Sequence, residues 1–241
     1  MVRFENILFV CFLIIVLGGC SVPGNEQFSS SSAKIKVLVL GAPSDDLVQI
    51  LQENSTSLEF EVVAPQTIES NAAAKLAGYR IIVVDQTKDE TKAISTKVGA
   101  AVQNFVRSGG SLIVIGDSGI TRPDKFDVIG WENTFGDLMP VTCERVSNNL
   151  PSCKNPIVIS GNLISQTKNH PIFQDVNSMY YGAFTVFDIE VTGNEIAYID
   201  AFPKTYPAIV EKNLPKGKVI YFNYAPRITK NIFINAINYM K

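Results

Sequence analysis

Ser118 lies in the run Gly116-Asp117-Ser118-Gly119, directly after an apolar stretch at 111–115. A serine on a tight turn at a strand end can attack an acyl carbon if a neighbouring base takes its proton. The chain has one histidine, His170, so this chemistry requires His170 within hydrogen-bond reach of Ser118. Simpler roles exist for both. His170 can order the turn before Pro171, and Ser118 can satisfy its own backbone. Asp85 follows a second apolar run at 81–84, so Asp85 and Asp117 can stand as two carboxylates at neighbouring strand ends. Such a pair serves acid–base work or holds a cation; its plain alternative is helix capping and solvated loop ends. Asp45 and Asp46 can join it at the first strand end. The catalytic candidates are thus Ser118, Asp117 and His170, and the binding candidates are Asp85, Gly116, Asp117, Ser118 and Gly119. Trp131, Phe135, Tyr180 and Tyr181 can line a sugar-binding face or pack as core. Two thiols in the body of the chain and one histidine make no tetrahedral metal set, so neither metal nor cofactor is expected.

These residues need a scaffold, and the hydrophobic pattern supplies one. Apolar runs at 34–40, 80–85 and 111–115 read as buried strands, and 58–63 as an alternating one. Between them, Ser44 caps a helix carrying Asp45 and Asp46 in its first turn. A short alanine-rich helix is expected over 68–77. Thr87 and Glu90 have capping-box spacing and predict the start of a third helix. Its inward stripe is Val98, Ala101, Val102, Phe105 and Val106, and Gly109-Gly110 stops it. The alternation predicts an α/β fold: a three-layer sandwich with a mostly parallel central sheet and right-handed crossovers. Ligands in such sheets bind at the carboxyl ends of the strands, where the Gly116–Gly119 turn falls.

Beyond residue 119 the pattern loosens. Residues 120–140 read as a long ordered loop. Strands are expected at 156–162, at 183–191 and 195–201 around a Thr192-Gly193-Asn194 hairpin turn, and at 206–211 and 218–223. A final helix is expected with Thr229 as its cap and Ile228 and Phe233 as a staple.

The amino terminus predicts export. Arg3 precedes an apolar run at 7–17, short for a membrane span, and Leu17-Gly18-Gly19-Cys20 matches a lipoprotein lipobox. Residues 1–20 are expected to be a signal peptide, with Cys20 lipidated; an uncleaved membrane anchor is the alternative. Serine-rich residues 21–33 read as a flexible tether, and 34–241 as one folded domain. The expected location is the extracytoplasmic face of a cell membrane. A composition of 46% hydrophobic and 18% charged residues supports a packed core, and a net charge of -2 without basic runs excludes nucleic acid as a partner. Cys143 and Cys153 are the cysteines of the folded part, and in an exported chain they are expected to form a disulfide, with two separate thiols as the alternative.

Four stretches in order carry a family resemblance. They are 80–85; Asn104-Phe105-Val106-Arg107-Ser108-Gly109-Gly110 running into 111–116; His170-Pro171-Ile172; and Pro207-Ala208-Ile209-Val210 leading to Gly217-Lys218-Val219-Ile220-Tyr221-Phe222. Together they resemble the class I glutamine-amidotransferase-like superfamily, in particular its trehalose-utilisation-protein-like branch. The resemblance implies a flavodoxin-like sandwich with an added C-terminal β-rich segment. It also implies a nucleophilic cysteine on the turn after 111–115 and a histidine after a late strand. Here the turn reads Gly116-Asp117-Ser118-Gly119 and the late strand ends in Asn223-Tyr224, so both groups are missing. The expectation is a non-catalytic module binding a small molecule such as a sugar, or a membrane protein. The alternative is a hydrolase using Ser118 or the Asp85/Asp117 pair.

Overall fold

The computed structural model describes residues 33–123, 130–143, 151–167, 169–176 and 179–241. The predicted signal peptide, Cys20 and nearly all of the tether lie outside the described residues. Strand β1 (Ile35–Leu40) is followed by helix α1 (Asp45–Glu53), edge strand β2 (Leu58–Val63), helix α2 (Ala72–Leu76) and strand β3 (Ile81–Val84). Ser44 caps α1 as expected, its Oγ accepting from the Leu47 amide at 3.2 Å. The helix expected over 68–77 is shorter: Ile68 closes a 3-10 turn that begins at Pro65, and α2 starts only at Ala72.

Helix α3 (Thr96–Arg107) begins eight residues later than the Thr87–Glu90 capping box predicts, with Ser95 rather than Thr87 at its cap. Two competing bonds explain the difference. Asp85 Oδ1 accepts from both the amide (2.9 Å) and the hydroxyl (2.5 Å) of Thr87, which commits Thr87 to a turn. Ser95 Oγ then takes the Val98 amide and caps the helix. The inward stripe is otherwise as expected, with Val98, Ala101, Val102 and Val106 buried. Strand β4 (Ser111–Ile115) follows, buried along its whole length.

The remaining elements are α4 (Glu132–Phe135), β5 (Val141–Thr142), β6 (Ile157–Ser165), β7 (Met179–Val186), β8 (Glu190–Val191), β9 (Asn194–Ala201), β10 (Lys204–Asn213), β11 (Lys218–Phe222) and α5 (Lys230–Tyr239). One nine-stranded sheet runs in the order β2-β1-β3-β4-β11-β10-β9-β6-β7. Its first five strands are parallel and the last four add antiparallel. This is the α/β, flavodoxin-like sandwich with a β-rich C-terminal addition. Alternate strand residues feed two cores. One lies under α1 and α5 and includes Val37, Val39, Leu47, Ile113, Phe222 and Phe233. The other lies under α2 and α3 and includes Leu38, Leu40, Val102, Val114, Tyr221 and Trp131. Neither face of the central strands meets water, which is why those strands read as unbroken apolar runs.

Three expectations in the second half are corrected. The run 183–191 is two strands, because Asn223 grips Phe187 through both the amide (2.9 Å) and the carbonyl (2.9 Å) and turns the chain out of β7. Thr192-Gly193-Asn194 joins no hairpin. The Thr192 and Gly193 amides both donate to the Pro140 carbonyl at 2.9 Å, so β8 pairs with β5 while β9 enters the large sheet between β10 and β6. Thr229 stands at the start of α5 but makes no cap bond, because its hydroxyl is buried against the Tyr224 hydroxyl at 2.7 Å. Cys143 and Cys153 form a disulfide with a Cα separation of 5.4 Å, inside the range a disulfide requires. Among the described residues, no helix is long and apolar enough to cross a membrane.

Candidate functional site

The carboxyl ends of β1, β3, β4 and β11 meet at one end of the sheet, and a polar network ties their loops together. Asp85, fully buried, ends β3. Its Oδ2 accepts from the Ser44 amide (3.2 Å) while Oδ1 accepts from the amide and hydroxyl of Thr87, so both oxygens are engaged in fixing the loops. Gln86, also fully buried, is the hub. Its Oε1 accepts from the Gly119 amide (2.7 Å), and its Nε2 donates to Asp89 Oδ2 (3.0 Å) and the Ala93 carbonyl (3.1 Å). The Gln86 amide donates to Ser118 Oγ at 2.9 Å.

Ser118 is therefore a structural hydroxyl. It is 1% exposed, and its carbonyl accepts from Trp131 Nε1 at 3.1 Å. Gly116 and Gly119 flank it at positive φ (55° and 72°), the left-handed backbone that lets the chain turn so tightly after β4. A Cβ on Gly119 would lie 2.5 Å from the Phe135 ring.

His170 lies elsewhere. Its Nδ1 accepts from the Ile172 amide (3.4 Å), capping the 3-10 turn Pro171–Phe173, and its Nε2 faces Glu211 Oε2 at 3.3 Å. With Nδ1 an acceptor, the neutral ring carries its proton on Nε2 and donates it to Glu211. The ring packs edge-on to Tyr239, on the core face under α5, whereas Ser118 sits beside Trp131, in the opposite core. No hydrogen bond joins Ser118 and His170. Burial pushes the Glu211 carboxyl up, but hydrogen bonds from His170, Asn194 and Tyr239 outweigh it and hold the group below its ordinary value.

The group left facing the open end of the sheet is Asp117. Burial pushes its carboxyl up, and the Lys92 ammonium 3.7 Å away only partly opposes this. Asp85 adds a further upward push through its charge, so the two carboxylates do sense each other, although Asp85 is committed to its loop. Lys92 occupies the left-handed region (φ 50°), an uncommon conformation for lysine, and its ammonium also bonds the Gln86 carbonyl. A cleft of about 300 Å³ opens here, walled by Asp46, Lys92, Asp117 and Arg227 and by the rings of Phe187 and Tyr224. Arg227 Nη1 stands 4.0 Å from Asp46 Oδ2. A second cavity of about 680 Å³ shares Lys92 and Asp117 and runs past Thr91 and Thr121 to Cys153.

The binding candidates Asp85, Gly116, Asp117, Ser118 and Gly119 thus gather at one sheet end, but only Gly116 and Asp117 among them line the smaller cleft. Asp46 joins them. Trp131 and Phe135 are fully buried and Tyr181 is 75% exposed on β7, so the four aromatic residues share no face. Gln86, Lys92 and Arg227 belong to no motif of the sequence, and Asn223 enters it only as the residue standing where the family resemblance implies a histidine. The one available signal was Gln86, a polar residue just after an apolar run at the end where sites form.

No protein-family model and no curated protein sequence matches the chain. Solved structures do match in fold. A cytoplasmic protein, STM3548, from Salmonella typhimurium aligns at TM-score 0.58 and 12% identity, over 86% of this chain and 99% of its own. A ThuA-like protein from Parabacteroides merdae aligns at TM-score 0.59 and 11% identity, over 86% and 90%. A β-galactosidase from Bacillus circulans sp. alkalophilus aligns at TM-score 0.58 and 13% identity, over 88% of this chain but 32% of the enzyme, so the likeness there is to one part of a longer protein. At these identities the likeness is one of fold, and it places the chain's architecture with that of ThuA-like proteins.

Proposed function

We propose that this protein is a lipid-anchored, extracytoplasmic binding module on an amidotransferase-like scaffold that lacks the thiol and imidazole of its reactive relatives. The observation that carries the binding half is the cleft at the sheet end, where two carboxylates and two cations converge on a small volume with two aromatic walls. The non-catalytic half is supported by the separate fates of the reactive candidates. Ser118 is buried and bonded to Gln86, and His170 is bonded to Glu211. The turn after β4 holds no cysteine, and β11 ends in Asn223, whose amide is spent on Phe187 and Pro207.

The anchor rests on the lipobox, with Cys20 as the lipidated residue. Labelled palmitate incorporated by the parent protein and lost in Cys20→Ser tests it; equal labelling of both rejects it. Binding is tested by thermal shift against small carboxylates, amines, sugars and divalent cations, since a ligand selective for the native state raises apparent stability by mass action. The reading requires a shift that disappears in Asp117→Asn and Arg227→Ala. Shifts that survive both substitutions exclude this cleft. A hydrolase reading retains one supporting feature: Asp117 lines the cleft with its carboxyl pushed up by burial, the placement a proton donor requires. Turnover of a chromogenic ester or glycoside abolished by Asp117→Asn would favour it.

A further inference from the structure

The nine-stranded sheet has two edges, and the chain treats them differently. At one edge, β2 carries Glu59 and Glu61, both exposed, and Glu61 pairs with Lys75 at 2.6 Å. Charges of this kind keep a sheet edge from pairing with another chain. At the other edge, β7 reads Met-Tyr-Tyr-Gly-Ala-Phe-Thr-Val, with no charge and no proline. Its register with β6 runs from Met179 to Val186 without a bulge. No described strand pairs with its outer side, so alternate backbone N–H and C=O groups along it meet no strand there.

The side chains of β7 divide by face. Phe184 and Val186 turn into the core. Tyr181, Ala183 and Thr185 lie on the outer face and are exposed, and the register sets Val158, as exposed as Tyr181, directly beside Thr185. An uncharged run of high strand propensity on an open, regular edge is the composition that associates with another strand.

We propose that β7 pairs with β7 of a second copy across a two-fold axis normal to the sheet, joining the two sheets into one. Such an axis runs the strands antiparallel with their outer faces on the same side, so a residue on the axis meets itself. With Ala183 on the axis, Tyr181 faces Thr185 of the second copy, an aromatic against a β-branched residue. Across a two-fold, any charge on the strand would stand near its own copy; β7 has none, so self-pairing brings no like charges together. The net charge of -2 adds little repulsion at a distance. Growth stops at two copies, because the edges left outside are the charged β2 strands. Thr185 also lines the cleft at the strand ends, so Tyr181 of the second copy comes to its rim. The pairing itself does not depend on what that cleft binds. One strand pair and its flanks make a small interface, so the dimer is expected to dissociate on dilution.

The test uses the full chain in non-ionic detergent micelles, with sedimentation velocity across a concentration series at matched solvent density. A concentration-dependent dimer is expected. Ala183→Lys and Ala183→Glu should each weaken it by about tenfold or more, since like charges then meet across the axis. An equimolar mixture of the two variants should restore the dimer. Ala183 is exposed, so both variants should melt close to the parent. Oxidation of Ala183→Cys should link two chains on a non-reducing gel. Val158→Cys should not link, because the two β6 strands lie three strand spacings apart, about 14 Å. The proposal is overturned by a parent that stays monomeric throughout, by a dimer that both charge variants leave unchanged, by a mixture no better than either variant alone, or by no preferential link at residue 183.

Discussion

Replacing Gln86 with leucine should cost this protein a large share of its stability. The two side chains are close in size, so the change removes hydrogen bonds while leaving little cavity. Gln86 is fully buried and its amide group makes three bonds, from the Gly119 amide and to Asp89 and the Ala93 carbonyl. Asp89 keeps its bonds from Thr91, so its loss is modest. The Gly119 amide and Ala93 carbonyl have no such reserve. A buried group stripped of its partner costs about 1–3 kcal/mol, so two cost about 2–6 kcal/mol, less about 1 kcal/mol regained from the apolar side chain. The expected loss is therefore about 3 kcal/mol, against a total of about 5–15 kcal/mol for a typical domain. Urea denaturation followed by far-ultraviolet circular dichroism measures it. With a slope of about 2 kcal/mol/M, the midpoint should fall by about 1.5 M at unchanged slope. A loss under about 1 kcal/mol would refute the assignment of Gln86 as the hub joining the β3 and β4 loops.

Gly119→Ala combines positive φ with a Cβ 2.5 Å from the Phe135 ring, and should lower stability by about 2–4 kcal/mol in the same assay. Glu211 has its carboxyl held below the ordinary value of 4.5, so its stabilising contribution is full above that value and fades as pH falls through the lowered folded one; Glu211→Gln should flatten the acid limb of a stability–pH curve. Asp117 has the opposite sign. Its carboxyl is raised above the ordinary 3.8, so stability declines as pH rises through the window above 3.8, and Asp117→Asn should gain stability at neutral pH but not below that window. Replacing both Cys143 and Cys153 with serine removes a crosslink spanning 10 residues and should lower the melting temperature by the equivalent of about 2–3 kcal/mol, with the parent in reductant matching the variant.

The first half of the fold was legible because its signals are local. Unbroken β-branched runs at β1, β3 and β4, Ser44 before α1, and paired glycines after α3 each follow from the chemistry of a few neighbouring residues. The late start of α3 was misread for a local reason: Asp85 takes the amide and hydroxyl of Thr87, two residues on, in an Asx turn, and Ser95 is left to cap the helix. The fate of 183–201 was hidden for a different reason. Asn223 and Pro140 redirect that segment from 36 and about 50 residues away in sequence.

The candidate site divides along the same line. The sequence by itself determined that small and acidic residues fall at the carboxyl ends of parallel strands, and that no cysteine occupies the turn after β4, because these depend on residue type and on a strand's period. Only the tertiary structure decided which of those residues face solvent. Asp85 and Ser118 turn inward to satisfy backbone amides, Asp117 remains at the mouth with Lys92, and His170 is claimed by Glu211 on the other face of the sheet. Hydrogen-bond partners far apart in the chain make those choices, since a buried polar group must be paired wherever the fold happens to bring its partner.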